Sequence, residues 1–189
     1  MALSKITKTE ATDVLGIDAS TKAIAYCLFR DGQPFQWGIY NLNGADIYER
    51  IRDAKEKTEA ILDAMDPDYV AIESAVFVNS PDAAIKLAYV YGATMAALMT
   101  EDTKVIAVTP QQWQNFIGNK NFSKVEKDAL IKDNPGKSAS WYSNKRRLIR
   151  KQRTLDYFND RYDLELDDDN VGDAFGLAFY AVNKLTRTK

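Results

Sequence analysis

Residues 13 to 40 hold three strand-like runs joined by tight turns, with no helical periodicity between them. Val14-Leu15-Gly16-Ile17 runs into Asp18, and Ile24 to Phe29 follows a short Ser/Thr/Lys turn. Asp31-Gly32 is a hairpin signal that leads to a third run, Phe35 to Tyr40. A chain that opens this way builds an antiparallel meander first, and later elements must pack on it. The pattern then changes period. Ile47, Ile51, Ala54, Thr58, Ile61, Leu62 and Met65 recur at helical spacing, and Pro67 ends that helix. Tyr69 to Ile72 reads as a short buried strand that delivers Glu73 at its end. Ser80-Pro81-Asp82 opens a helix to about Met99, with Ser80 as cap and Pro81 in the first turn. Lys104 to Val108 is another strand, and Thr109-Pro110 caps a helix through Phe116.

Residues 117–144, rich in Asn, Lys, Ser and Gly, read as an irregular and mobile loop. Helices follow over about 145–161 and 171–185. Strands first, then alternating helix and strand, imply an α/β fold: one domain with a mixed five-stranded sheet and helices on both faces.

The absence of histidine excludes His-built zinc sites, Ser-His-Asp triads and His general bases. Hydrolytic chemistry must therefore rest on carboxylates, which with nucleic acids usually implies Mg2+ or Mn2+. No apolar run is long enough to cross a bilayer, and the N-terminus lacks a signal-peptide pattern. With the lone Cys27 in a strand, these features point to a reducing, cytoplasmic setting and no membrane partner. The net charge of −2 argues mildly against nucleic acid as a partner, but its distribution argues for it. Lys145, Arg146, Arg147, Arg150, Lys151 and Arg153 form a dense basic segment, and Asp160, Asp163, Glu165, Asp167, Asp168 and Asp169 follow it.

Three acids stand where such a sheet would bring them together. Asp18 ends the first strand, Glu73 ends the strand after the first helix, and Asp173 lies in the first turn of the final helix. Gly172 and Ala174 flank Asp173, so that helix can lie close to the sheet and aim Asp173 at the strand ends. Crowded carboxylates repel one another unless cations separate them. Two divalent ions about 4 Å apart could activate water and stabilise the leaving oxygen of a phosphodiester. A purely structural role would require a cation for each acid, because an unpaired buried carboxylate costs several kcal/mol; Lys22 could serve one.

At these residues the chain resembles the RuvC family of Holliday junction resolvases. Val14 to Thr21 resembles the opening of those proteins, Ala71-Ile72-Glu73 their second motif, and Asn79 to Leu87, continuing to Gly92-Ala93, the helix after it. Asn170 to Ala174 resembles their C-terminal acidic motif. The resemblance covers about residues 13–118 and 165–185, and the insertion 119–144 has no match in it. It implies an RNase H-like fold and a structure-selective endonuclease that nicks branched DNA in pairs, with two Mg2+ or Mn2+ ions per active site. Asp18, Glu73 and Asp173 would be metal ligands and catalytic residues.

The family has Asp or His three residues before the last acid, and here that position is Asn170. Asn170 would then face the site and bind through its amide oxygen, with Asp169 capping or solvating the turn; Asp169 is the competing ligand. The resemblance also implies an aromatic wedge after the second motif, for which Phe77 is the candidate. Trp141 and Tyr142 are read as stacking on DNA, and Lys145, Arg146, Arg147 and Arg150 as contacting phosphates, with Lys124, Lys127 and Lys132 extending that path. Ala88, Gly92 and Ala96 recur every four residues on the helix from Pro81, and the corresponding helix of the family forms a two-fold interface, so a homodimer is expected.

Other phosphoryl-transfer folds also open with a strand ending Gly-Ile-Asp before Ser-Thr, among them sugar kinases and actin-like ATPases. Those require two such domains. An RNase H or transposase core, and a junction-binding protein without catalysis, remain as alternatives.

Overall fold

The computed structural model describes residues 13–74, 80–100 and 103–185. Strands β1 (Val14–Ala19), β2 (Ala23–Arg30) and β3 (Gln33–Asn41) form the antiparallel meander. At its hairpin both Asp31 and Gly32 have positive φ, 51° and 76°, as a tight two-residue turn matched to strand twist demands. Helix α1 (Ile47–Met65), β4 (Tyr69–Glu73), α2 (Pro81–Leu98), β5 (Lys104–Val108) and α3 (Pro110–Phe116) follow. The sheet order is β3-β2-β1-β4-β5, with β4 parallel to both β1 and β5.

Alternation along the strands divides the interior in two. Leu15, Ile17, Ile24, Leu28, Val70 and Ile72 meet Ala54 and Ile61 of α1 and Val90 and Leu98 of α2. Val14, Ala25, Cys27, Phe29 and Ala71 belong to the opposite face, with Trp113 of α3 and the last two helices, α5 (Ala139–Tyr162) and α6 (Asp169–Leu185). Helices therefore cover both faces. Asp18 shares strand parity with Val14 and Gly16, and Glu73 with Tyr69 and Ala71, so both acids belong to the α6 side.

Helix α6 lies against the sheet at Gly16. A Cβ added there would overlap the Ala174 carbonyl oxygen and meet the Ala178 amide nitrogen at 2.7 Å. Of the two small residues expected to allow this approach, Ala174 takes part, whereas Gly172 faces Leu155 of α5.

The insertion is not irregular as expected. It contains α4 (Lys124–Asp133), and α5 starts at Ala139, ahead of the expected Lys145. Helix α4 begins with a capping box in which Ser123 and Glu126 exchange bonds, and Ser138 caps α5. No residue of α4 is buried. The capping residues were the only local signal. Arg153 of α5 forms a 2.9 Å ion pair with Glu126 of this helix.

Candidate active site

Strand register brings the first two acids side by side. Ile17 pairs with Ile72 across β1 and β4, so Asp18 and Glu73 occupy the next step of neighbouring parallel strands. Helix α6 begins over this point and adds Asp173, with Asp169 one turn earlier on the same face. The indole Nε1–H of Trp113 reaches Glu73 Oε2 at 3.4 Å. Gly176 makes room for that indole, since a Cβ there would overlap the ring.

The electrostatics follow from this crowding. Burial pushes the Asp18 carboxyl well above its usual range, and Asp173 and Glu73 push it further. Burial raises Glu73 as well, opposed by the Trp113 hydrogen bond. Asp173 is pushed up to about 7, mostly by burial, with Lys151 pulling it back and Glu73 and Asp169 adding to the rise. The counter-charge comes from α5. Lys151 Nζ lies 2.5 Å from Asp169 Oδ2 and 3.6 Å from Asp173 Oδ2. Burial disfavours its charge, but Asp173 and Asp169 outweigh that, and its pKa is raised.

Four oxygen-donor carboxylates with one ammonium among them suit a hard divalent cation by donor chemistry, and the ammonium stands in for part of its charge. As the side chains stand, no group of three among the described residues is placed to hold a metal ion.

The fourth acid differs from the expectation. Asn170 was expected to face inward, with Asp169 solvated or capping. Instead Asp168 caps the helix, its Oδ1 accepting from the backbone amides of Asn170 and Val171, and the Asn170 side-chain amide donates to the same oxygen at 3.2 Å. Asp169 shares the Lys151 ammonium with Asp173. The Asn170 side chain is thus turned toward Asp168, while Asp169 stands one turn before Asp173 on the same helix face.

Beside Asp173 opens a groove of about 420 Å³, with Lys127, Arg146, Arg147, Arg150 and Lys151 in its lining. Lys145 and Arg147 are exposed and Arg146 is half-buried. Three of the expected DNA contacts also bond or pack within the protein. Arg150 is half-buried, its guanidinium donating to Gln114 Oε1 and to the Asn119 carbonyl. Tyr142 is buried, its hydroxyl donating to the Asn134 carbonyl, so it anchors the α4–α5 turn instead of presenting a stacking face. Trp141 is half-buried against the Tyr142 ring, with Lys137 above it. Lys127 reaches the groove, whereas Lys124 and Lys132 are exposed elsewhere on α4. The proposed wedge Phe77 lies outside the described residues. Lys22 is exposed, and Lys151, read from sequence as part of a basic surface, is the cation that serves the acids.

Comparison with known proteins identifies the family and the fold. The family model described as crossover junction endodeoxyribonuclease RuvC matches residues 14–133. A protein of that name from Sulfurovum sp. (strain NBC37-1) is 29% identical over 125 residues, covering 64% of this chain and 79% of the relative. The corresponding protein of Salinibacter ruber is 27% identical over 124 residues, covering 62% and 69%. Among solved structures, T. thermophilus RuvC in complex with Holliday junction substrate superposes with a TM-score of 0.65 at 14% identity, over 92% of this chain and 97% of that one. The yeast mitochondrial Holliday junction resolvase Ydc2 gives a TM-score of 0.54 at 13% identity, over 89% and 77%.

Proposed function

The chain belongs to the RuvC family of crossover junction endodeoxyribonucleases, and from that premise we propose that it resolves Holliday junctions and related branched DNA by paired nicks, using divalent metal, as a homodimer. The observation that carries this reading is the convergence of Asp18, Glu73, Asp169 and Asp173 beside a groove lined with Lys127, Arg146 and Arg147. The acids would hold Mg2+ or Mn2+, which when bound lowers the pKa of water and stabilises charge on the leaving oxygen.

The remaining work belongs to side chains already in place. Arg146, Arg147 and Lys127 draw a backbone phosphate into the groove without reading sequence, and the low dielectric around the buried acids strengthens each contact. Trp113 fixes the rotamer of Glu73. Helix α2 supports the two-fold reading. Ile85, Tyr89 and Met99 are 52%, 47% and 64% exposed, and Ala88, Gly92 and Ala96 lie among them. A Cβ at Gly92 would meet nothing within 4 Å, so the stripe of small residues is free to receive a second helix. No helix among the described residues is long and apolar enough to cross a membrane. The free, buried Cys27 suits a reducing compartment such as a bacterial cytoplasm.

A second reading has its own support. Asn170 stands where the family has Asp or His, as a junction-binding protein that had lost catalysis would allow. Incubating the purified protein with a four-way junction, an RNA–DNA hybrid and linear duplex, with and without Mg2+, separates the possibilities. Symmetric Mg2+-dependent nicks in the junction, abolished by Glu73→Gln with binding kept within a few fold, are the expected result. Tight binding with no nicking would establish the second reading, and hybrid cleavage alone would make the protein an RNase H.

A further inference from the structure

Helix α5 carries its basic residues at two depths. Lys145 and Arg147 are exposed, whereas the side chain of Lys151 is 18% exposed, its ammonium between Asp169 and Asp173. It lines the same groove as Arg146 and Arg147. One side chain thus touches both the acid cluster and the phosphate path. A lysine placed only to bind DNA would extend into the groove like its neighbours, and one placed only for stability would require a single acidic partner. Lys151 has two, and its field also reaches Asp18 and Glu73.

Resting on the nuclease reading above, we infer that Lys151 is an internal counter-cation that holds Asp169 and Asp173 together in the metal-free protein, competes there with divalent metal, and moves to a DNA phosphate oxygen once it is displaced. It is a positioning residue. The stem of a lysine has four rotatable bonds, and its point charge accepts any oxygen geometry, so carboxylate and phosphate are interchangeable partners for it. Release into the groove also makes metal entry and phosphate binding mutually supportive: the ammonium that leaves the acids arrives where the substrate carries its charge. Lys151 already occupies the region between two of the acids, 2.5 Å from Asp169 and 3.6 Å from Asp173.

The test is Mn2+ titration of the DNA-free protein by calorimetry, together with melting temperatures in EDTA and in saturating Mn2+. Lys151→Met, which keeps the stem and removes the charge, is expected to tighten Mn2+ binding about three- to tenfold, as removal of one screened like charge within a few ångströms predicts. It should also melt lower in EDTA and gain more from Mn2+ than the wild type does. Lys151→Arg, which restores the charge, is expected to return both quantities toward wild type. In the nicking assay, Lys151→Met should require less Mn2+ for half-maximal rate and show a raised KM for junction.

Equal or weaker Mn2+ affinity in folded Lys151→Met would overturn the inference while leaving the nuclease reading intact, because a merely structural ion pair lowers stability without tightening metal binding. A wild type that neither binds Mn2+ nor nicks would overturn both.

Discussion

Trp113 donates its indole N–H to Glu73 across 3.4 Å, from a ring that is itself fully buried. The bond joins the first turns of α3 to the end of β4 and holds one of the four acids in place. Trp113→Phe preserves most of the packing and deletes the donor. Nicking is expected to fall by about three- to tenfold with little change in junction affinity, and stability by about 1 kcal/mol, the usual net worth of one hydrogen bond. Single-turnover rates beside a chemical melt check both, and an unchanged rate would mean Glu73 is oriented without it.

The two residues that compete for the fourth ligand position separate cleanly. Asp169→Asn is expected to lower nicking by at least about tenfold at limiting Mg2+, because Asp169 shares the field of Asp18 and Asp173. Asn170→Ala is expected to leave the rate within about twofold and to cost only part of a weak cap interaction. Inactive Asn170→Ala beside active Asp169→Asn would assign the position the other way.

Salt dependence distinguishes the basic residues by placement. Replacing Lys145, Arg146 and Arg147 with Ala is expected to flatten the log–log slope of junction binding by up to about three units, at roughly 0.9 for each phosphate no longer neutralised. Arg150→Ala belongs to another class. Its guanidinium bonds Gln114 and the Asn119 carbonyl, so removal should destabilise the fold by about 1–3 kcal/mol and change the slope little. Filter binding from low to moderate salt, with melts of each variant, decides between the two behaviours.

The metal-free protein should lose stability as pH rises through neutrality. Asp173 has its pKa raised from an ordinary 3.8 to about 7, so between those values the folded state binds more protons than the unfolded chain. This group's favourable contribution is complete below about pH 4 and is gone once pH passes about 7. Asp18 and Glu73 are shifted in the same direction. In EDTA, Asp173→Asn should therefore raise the melting temperature at pH 8 more than at pH 5. A parallel offset at both values would show that Asp173 is not strained in its charged form.

Gly92→Glu places bulk and charge in the open stripe of α2, where nothing lies within 4 Å of the added Cβ. A folded monomer that binds junctions poorly is the expected product, checked by light scattering and circular dichroism. A wild type already monomeric at micromolar concentration would remove the interface from the proposal.

The strands and their order of appearance were legible because alternation and turn residues are local signals: Asp31-Gly32 announced the hairpin, and Glu73 stood out at the end of an apolar run. Asp18, Glu73 and Asp173 were legible for the same reason, each being an acid where an apolar residue was due. What was hidden depends on tertiary phase. Whether residue 169 or 170 stands with the other acids depends on a rotation of one residue in the first turn of α6, which periodicity cannot specify. Lys151 looked like its neighbours Arg150 and Arg153 until α5 was packed beside α6. Gly16 looked like an ordinary strand residue, although helix backbone occupies the space its side chain would fill. Helix α4 was missed because a helix with no buried face has only its caps to declare it.

The placement of α6 has a bearing on synthesis. This helix packs over β1 and β2, yet it is encoded after every other element described. A nascent chain emerging from the ribosome can pair its early strands, but Phe29 and Ala71 stay wet on that face until residues near 185 have cleared the exit tunnel. Half of the acids arrive with the same segment. The acid cluster is therefore incomplete until α6 has been made, and a chain stopped upstream of α6 would leave this face of the sheet uncovered and prone to aggregation.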